Sequence, residues 1–146
     1  HTFAHLCFLL SEGGIAKAVV NGDTLFNAGV GNCGNGGDAA VLYRTISEQF
    51  YTLDDSVVVY PGHEYLENNL RFTLSLEPEN IDAQDWLAKA IQADPVTAPL
   101  NTTVGDERKF NTFFRLGNKT IRKAVDCHDS SDKDVFVALR SRRDNW

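Results

Sequence analysis

The spacing of apolar residues changes along this chain, and that change limits what it can fold into. Residues 5–10 (HLCFLL), 16–20 (AKAVV) and 56–60 (SVVVY) are short apolar runs bounded by turn-forming residues. Runs of this length, rich in β-branched and aromatic residues, read as strands. Glu12-Gly13-Gly14 separates the first two, which predicts neighbouring antiparallel strands, and Asn21-Gly22-Asp23 then breaks the pattern before a strand end at Thr24-Leu25-Phe26. From residue 38 the spacing turns helical. Ala39, Leu42, Tyr43, Ile46 and Phe50 recur at i, i+3, i+4 behind Asp38, a capping residue type. Helical patterns follow over 64–76, 81–93, 107–115, 118–127 and 132–144, with a polar linker at 95–106 that holds two prolines. The expected organisation is an α/β unit over residues 1–76 followed by a helical unit over 77–146.

Between strands and helices lies the run NAGVGNCGNGG, residues 27–37, with five glycines. So much glycine costs entropy on ordering, and it marks positive φ or a backbone pressed close to another group.

The net charge of −6 is unevenly spread. Residues 1–105 carry 4 basic and 13 acidic groups, whereas residues 106–146 carry 10 and 7. An acidic body excludes general nucleic-acid binding, which needs a basic surface to displace counterions. The basic end, with Arg140, Arg142 and Arg143, reads either as a solvated helix face or as a site for a small anion. No apolar run approaches the roughly 20 residues that cross a bilayer, so no membrane partner is expected. Residues 6–10 read as one buried strand instead. The cysteines, Cys7, Cys33 and Cys127, are odd in number and widely spaced. That pattern fits free thiols in a reducing, cytoplasmic setting. Cys7 is expected in the core, while Cys33, in the glycine-rich loop, is open to exposure and reactivity. The sequence starts at His1 and contains no Met, so it is expected to be a piece of a longer protein.

Three metal-ligand residue types stand at element ends. Asp23 follows one predicted strand, His63 follows another, and His1 precedes the first. Side chains at strand ends project into a crevice, and imidazole with carboxylate suits Zn, Fe or Mn. By spacing alone the argument is thin, because a lone histidine is more often structural and an aspartate after a strand is commonly a turn residue.

The local strings carry more. His1-Thr2 with His5, then GDTLF (22–26), then YPGHEY (60–65) running into NNLRF (68–72), resemble the hydroxyacylglutathione hydrolases, or glyoxalase II, of the metallo-β-lactamase superfamily. The resemblance continues through Glu77-Pro78 and Asn80 to the C-terminal helices. It implies the C-terminal half of an αββα sandwich followed by a small helical domain. It also implies hydrolysis of acylglutathione-type thioesters such as S-lactoylglutathione by hydroxide held between two divalent metals. In that reading His1 is a metal-binding histidine, Asp23 the carboxylate bridging both metals, and His63 the last histidine of the second site. Tyr65, Arg140 and Arg143 match the residues that hold glutathione, and His5 supports the site without being a ligand. The sequence departs from the family where a basic and an aromatic residue usually touch the tripeptide, having Asn32 and Gly34, so contacts with substrate there are expected to be lost or made by backbone. Thr112 also stands in place of a proline in NTFFR (111–115). The HxHxDH motif of the family is expected upstream of His1. Without it the piece is expected to be inactive alone, with apolar surface left exposed for association with a missing half or with itself. Persulfide oxygenation and nucleic-acid cleavage, other chemistries of the superfamily, fit poorly with the helical extension and the acidic body.

Overall fold

Gly13 and Gly14 both take positive φ, 56° and 79°, and so reverse the chain between β1 (Phe8–Glu12) and β2 (Ile15–Gly22). The two strands pair antiparallel, as the turn residues predicted. On its other side β2 pairs in parallel with β5 (Val58–Pro61), giving a three-stranded sheet in the order β1-β2-β5. The computed structural model describes all residues, 1–146.

A two-residue hairpin, β3 (Leu25–Phe26) and β4 (Gly29–Val30), follows β2. The glycine-rich loop then leads into α1 (Ala39–Thr45), where Asp38 caps the helix by accepting from the Val41 N–H. A π-helical turn, Ile46–Phe50, continues the same apolar stripe. Beyond β5 come α2 (Leu66–Leu76), α3 (Ile81–Gln92), α4 (Val104–Phe110), a 3-10 turn at Thr112–Phe114, α5 (Lys119–Ala124) and α6 (Asp132–Asp144). Each α-helix after α2 begins on a capping side chain, Asn80, Thr103, Asn118 or Ser131. The linker is less irregular than its composition predicted. Val59 N–H donates to Thr102 O and Val104 N–H to Val57 O, so residues 102–104 satisfy the edge of β5 that β2 leaves open.

One core joins the sheet to the C-terminal helices: Val19, Leu25, Val57 and Val59 pack in the same cluster as Phe72, Phe113, Ile121, Phe136 and Leu139. A smaller cluster forms under α2 and α3 around Leu66, Leu70, Ala83 and Phe110. Two sequence expectations fail at β1. Its apolar run is not buried, since every residue of the strand is exposed, Phe8 at 62%, and Cys7 is exposed as well. The reason is topological: β1 is the outer strand, pairs only with β2, and its side chains find no covering layer. Cys33, by contrast, packs partly against the core, and burial pushes its thiol pKa up. That argues against the reactivity left open for it.

Thr112 opens the 3-10 turn with its hydroxyl buried and unpartnered. Asn111 before it has φ −70° and ψ 116°, a conformation that a following proline accepts. Thr112→Pro is therefore expected to raise stability by about 1 kcal/mol, by removing an orphaned hydroxyl and stiffening the unfolded chain. A denaturant melt would reveal it; a lowered midpoint would contradict this account of the site.

Candidate metal centre

Parallel pairing of β2 with β5 places both carboxyl ends at one edge of the sheet. Gly22 and Pro61 are in register, and Gly62 N–H donates to Gly22 O at 2.9 Å. The next residues on each strand, Asp23 and His63, must therefore emerge side by side. Because β1 runs antiparallel to β2, with Phe8 opposite Val20, the residues before β1 arrive at the same edge. The structure thus brings together the three side chains expected to hold metal. His1 Nε2 lies 3.5 Å from Asp23 Oδ2, and His63 Nε2 lies 3.5 Å from Asp23 Oδ1. His1 and Asp23 are largely covered, at 13% and 24% exposure, while His63 is open at 57%.

The imidazole of His1 is oriented from behind. Its Nδ1 faces the Asn32 carbonyl at 2.9 Å, and a carbonyl only accepts, so Nδ1 carries the hydrogen. Nε2 is then the ring atom turned toward Asp23 Oδ2, and in the neutral tautomer it offers a lone pair that could bind a cation. The spacing suits one. Two ligands about 2.1 Å from a tetrahedral ion stand about 3.4 Å apart, close to the 3.5 Å found at each oxygen. The donor set therefore fits two cations, one on each oxygen of Asp23. No group of three or more His, Cys, Asp or Glu side chains is placed to hold a metal ion, so each cation would have one imidazole and one carboxylate oxygen from this chain. His5 stands behind, its Nε2 3.0 Å from Asn21 O and its ring edge-on to His1.

Glycine makes this crowding feasible. A Cβ on Gly31 would lie 1.8 Å from the Asp23 carbonyl oxygen, and one on Gly62 would lie 2.6 Å from Asp23 Oδ1. Close approach thus explains the glycine at 31, in the glycine-rich loop, and the one at 62, after β5.

The other expected site residues border the β3–β4 hairpin. Tyr65 stacks on His63 and meets Phe26 edge-on at 5.1 Å. Arg143 lies over the rings of Phe72 and Trp146 and reaches Asn69 Oδ1 at 3.4 Å. Arg140 is buried and occupied: it donates to Val30 O at 2.7 Å and pairs with Asp144 at 2.9 Å. Asn32 turns its side-chain oxygen onto the Gly34 N–H at 3.1 Å, closing its own loop.

Sequence reasoning missed Glu107, treated only as the start of a helix. It is fully buried on α4, and both its oxygens lie 3.0 Å from the Ala28 N–H at the hairpin tip. Asn111 Nδ2 donates to it at 2.6 Å, and Thr102 Oγ1 lies 2.5 Å away. Burial pushes its pKa up to about 7, against the lowering effect of these hydrogen bonds. A buried glutamate leaves no mark in apolar periodicity; the only sign was a carboxylate on the face α4 shares with Val104 and Phe110.

A carboxylate faced by two imidazoles where parallel strands end is a donor set that could hold metal. The wider sequence supplies the family. The family model described as "Hydroxyacylglutathione hydrolase C-terminus" matches residues 64–146. A protein of Polaromonas sp. named "Hydroxyacylglutathione hydrolase" is 44% identical over 152 residues, covering 100% of this chain and 57% of its own length. One of the same name from Nitrosococcus oceani is 44% identical with the same coverage. A third, from Anaeromyxobacter dehalogenans, is 39% identical over 132 residues, covering 86% of this chain and 52% of itself. The chain belongs to the hydroxyacylglutathione hydrolase family, and it spans a little over half the length of these relatives.

Gly31→Ala is expected to destabilise the chain by about 3 kcal/mol, because the added carbon collides with backbone rather than with a movable side chain. Gly117→Ala, with nothing within 4 Å of the new carbon, should stay within about 0.5 kcal/mol. Equal losses at both positions, measured by urea unfolding, would refute the packing of Gly31 on Asp23.

Proposed function

We propose that the longer protein carrying this chain hydrolyses acylglutathione-type thioesters, S-lactoylglutathione among them, with two divalent metals shared across Asp23. The observation that carries the reading is the placement of His1 and His63 on opposite oxygens of Asp23, each at 3.5 Å. The printed names of the relatives supply the reaction class. A cation pair polarises a carbonyl oxygen and brings the pKa of water down toward neutrality. Zn is the metal we favour, and Fe and Mn suit the same donors. The remaining ligands are assigned to residues outside 1–146, so the 146-residue chain alone is inactive in this reading.

The chain's own residues hold and shape the site. Asp23, with His1 and His63 beside its oxygens, would help to hold the cations, and its negative charge would offset their mutual repulsion. Asn32 O fixes the tautomer of His1. Tyr65 walls the site beside His63. Arg143, propped on two aromatic rings, is the guanidinium placed to grip a carboxylate of the thiol moiety. Arg140 contributes by holding the carbonyls of the glycine-rich loop, and Asn32 contacts substrate through its backbone. Residues 1–76 thus carry the metal ligands and Tyr65, and residues 77–146 carry the arginines. The free thiols fit a cytoplasmic setting, and no helix is long and apolar enough to cross a membrane.

Asp23→Asn and His63→Ala in the full-length protein should each lower kcat/KM on S-lactoylglutathione by about a hundredfold or more and reduce bound metal. Arg143→Ala should raise KM about tenfold and leave kcat nearly intact, the sign of lost uniform binding. Full thioester turnover by metal-free protein, or by Asp23→Asn, would sink the proposal.

A second reading has its own support in the exposed apolar strand, where Phe8, Leu9, Leu10 and Ile15 are each at least half exposed. In it the 146-residue chain works by association, with a missing half or with a second copy. Light scattering separates the two: the association reading expects a larger species that Leu9→Lys dissociates, and a dilution-stable monomer counts against it.

A further inference from the structure

The turn of the β3–β4 hairpin is held from the helical side of the molecule, and its hydrogens can be counted. Asn27 Nδ2 donates to Leu100 O at 3.0 Å, which fixes the amide so that Asn27 Oδ1 faces Thr102 Oγ1 at 2.9 Å. Thr102 Oγ1 also lies 2.5 Å from Glu107 Oε1. Two oxygen–oxygen contacts this close require two hydrogens, and a hydroxyl brings one. Rotating the amide of Asn27 would set its oxygen against the Leu100 carbonyl, so it does not supply the second. The other oxygen of Glu107 is filled by Asn111 Nδ2 at 2.6 Å, and Asn111 Oδ1 already accepts from the Phe113 N–H. Nor does a cation stand in for the missing hydrogen. On α4, Arg108 is directed to Asp55 and to the carbonyls of Tyr51 and Leu53, and Lys109 to Asp106. From α2 the facing group is neutral Asn69, with Arg143 of α6 on its far side. The nearby charge that bears on Glu107 is the like charge of Asp106, which favours the protonated form.

We propose that Glu107 is a neutral carboxylic acid that positions the Asp23 centre, its proton completing the chain from Glu107 through Thr102 to Asn27 and so fixing the hairpin turn. The turn is strained, with Ala28 at φ 62°, a left-handed backbone that non-glycine residues disfavour. The Ala28 N–H is held on the carboxyl group. From this turn the hairpin runs to Asp23 on one side and to Gly31 and Asn32 on the other. Gly31 N–H returns to Thr24 O at 3.2 Å, and Asn32 O orients His1. A displaced turn therefore moves both the carboxylate and the acceptor that aims an imidazole at it. The link from turn to centre rests on the proposed function; the protonation of Glu107 does not.

The test uses the full-length protein with Glu107→Gln and Glu107→Ala. Glutamine reproduces the neutral acid, donating to Thr102 and accepting from Asn111 and Ala28. Selective 13C labelling of glutamate, with the Glu107 signal assigned by its loss in Glu107→Gln, should show a carboxyl protonated at pH 6 and titrating near 7. Because the folded state holds this proton and the unfolded state releases it near 4.5, the group's contribution to stability falls as pH rises from about 4.5 to about 7. Glu107→Gln should lose that slope while keeping wild-type kcat and KM on S-lactoylglutathione. Glu107→Ala should lower kcat about tenfold or more at little-changed KM, and should fold less stably. Titration of the Glu107 carbon near 4.5, or a Gln variant as damaged as the Ala variant, would overturn the neutral acid. A folded Ala variant with wild-type kcat would overturn the positioning role. Absence of thioester turnover in the wild type would count against the proposed function alone, since the carboxyl titration is read without it.

Discussion

The hydrogen bond from Gly62 N–H to Gly22 O is where the sheet becomes a site. It closes the parallel ladder of β2 and β5 at their carboxyl ends, and the next side chain on either strand is a metal-ligand type. Glycine suits both partners, and Gly22 takes a left-handed φ of 48°. A Cβ on Gly22 would lie 2.6 Å from the His5 ring, and one on Gly62 equally close to Asp23 Oδ1. A parallel pair is slightly weaker per residue than an antiparallel one, so the ladder needs support from outside. It receives that support from residues 102–104 on the open edge of β5 and from the shared core with the C-terminal helices.

The helices that follow β5 do more than bury the sheet. Their side chains reach back to the β3–β4 hairpin at three places. Asn69 of α2 holds Asn27 O, Glu107 and Asn111 of α4 hold Ala28 and Gly29, and Arg140 of α6 holds Val30 and Gly31. The hairpin is too short to be stable alone. Its geometry is imposed by buried polar groups, each satisfied by another.

Much of this was legible in the sequence for definite reasons. The strand–turn–strand over β1 and β2, the cap at Asp38 and the helices at 81–92 and 132–144 follow from local signals, namely glycine turns, capping side chains and apolar spacing. Asp23 and His63 were legible because both follow strand ends within strings that resemble one family. Burial of β1 was misread because an apolar run reports what a strand can bury, and whether a layer covers it depends on the rest of the architecture. Arg140 was read from charge as a solvated or anion-binding cation and from the resemblance as a glutathione-binding residue. Its guanidinium is tied to backbone carbonyls more than a hundred residues away in sequence, which local pattern does not report. Glu107 was invisible because its partners, at positions 28, 102 and 111, share no local pattern. Non-local polar networks of this kind lie outside what periodicity encodes.

The account turns on Asp23 serving two cations at once. Anomalous diffraction at the metal edge from crystals of the full-length protein tests this most directly. Two peaks flanking the Asp23 carboxylate are expected, one against His1 and Oδ2, the other against His63 and Oδ1. A single peak touching one oxygen, or metal bound away from Asp23, would contradict it.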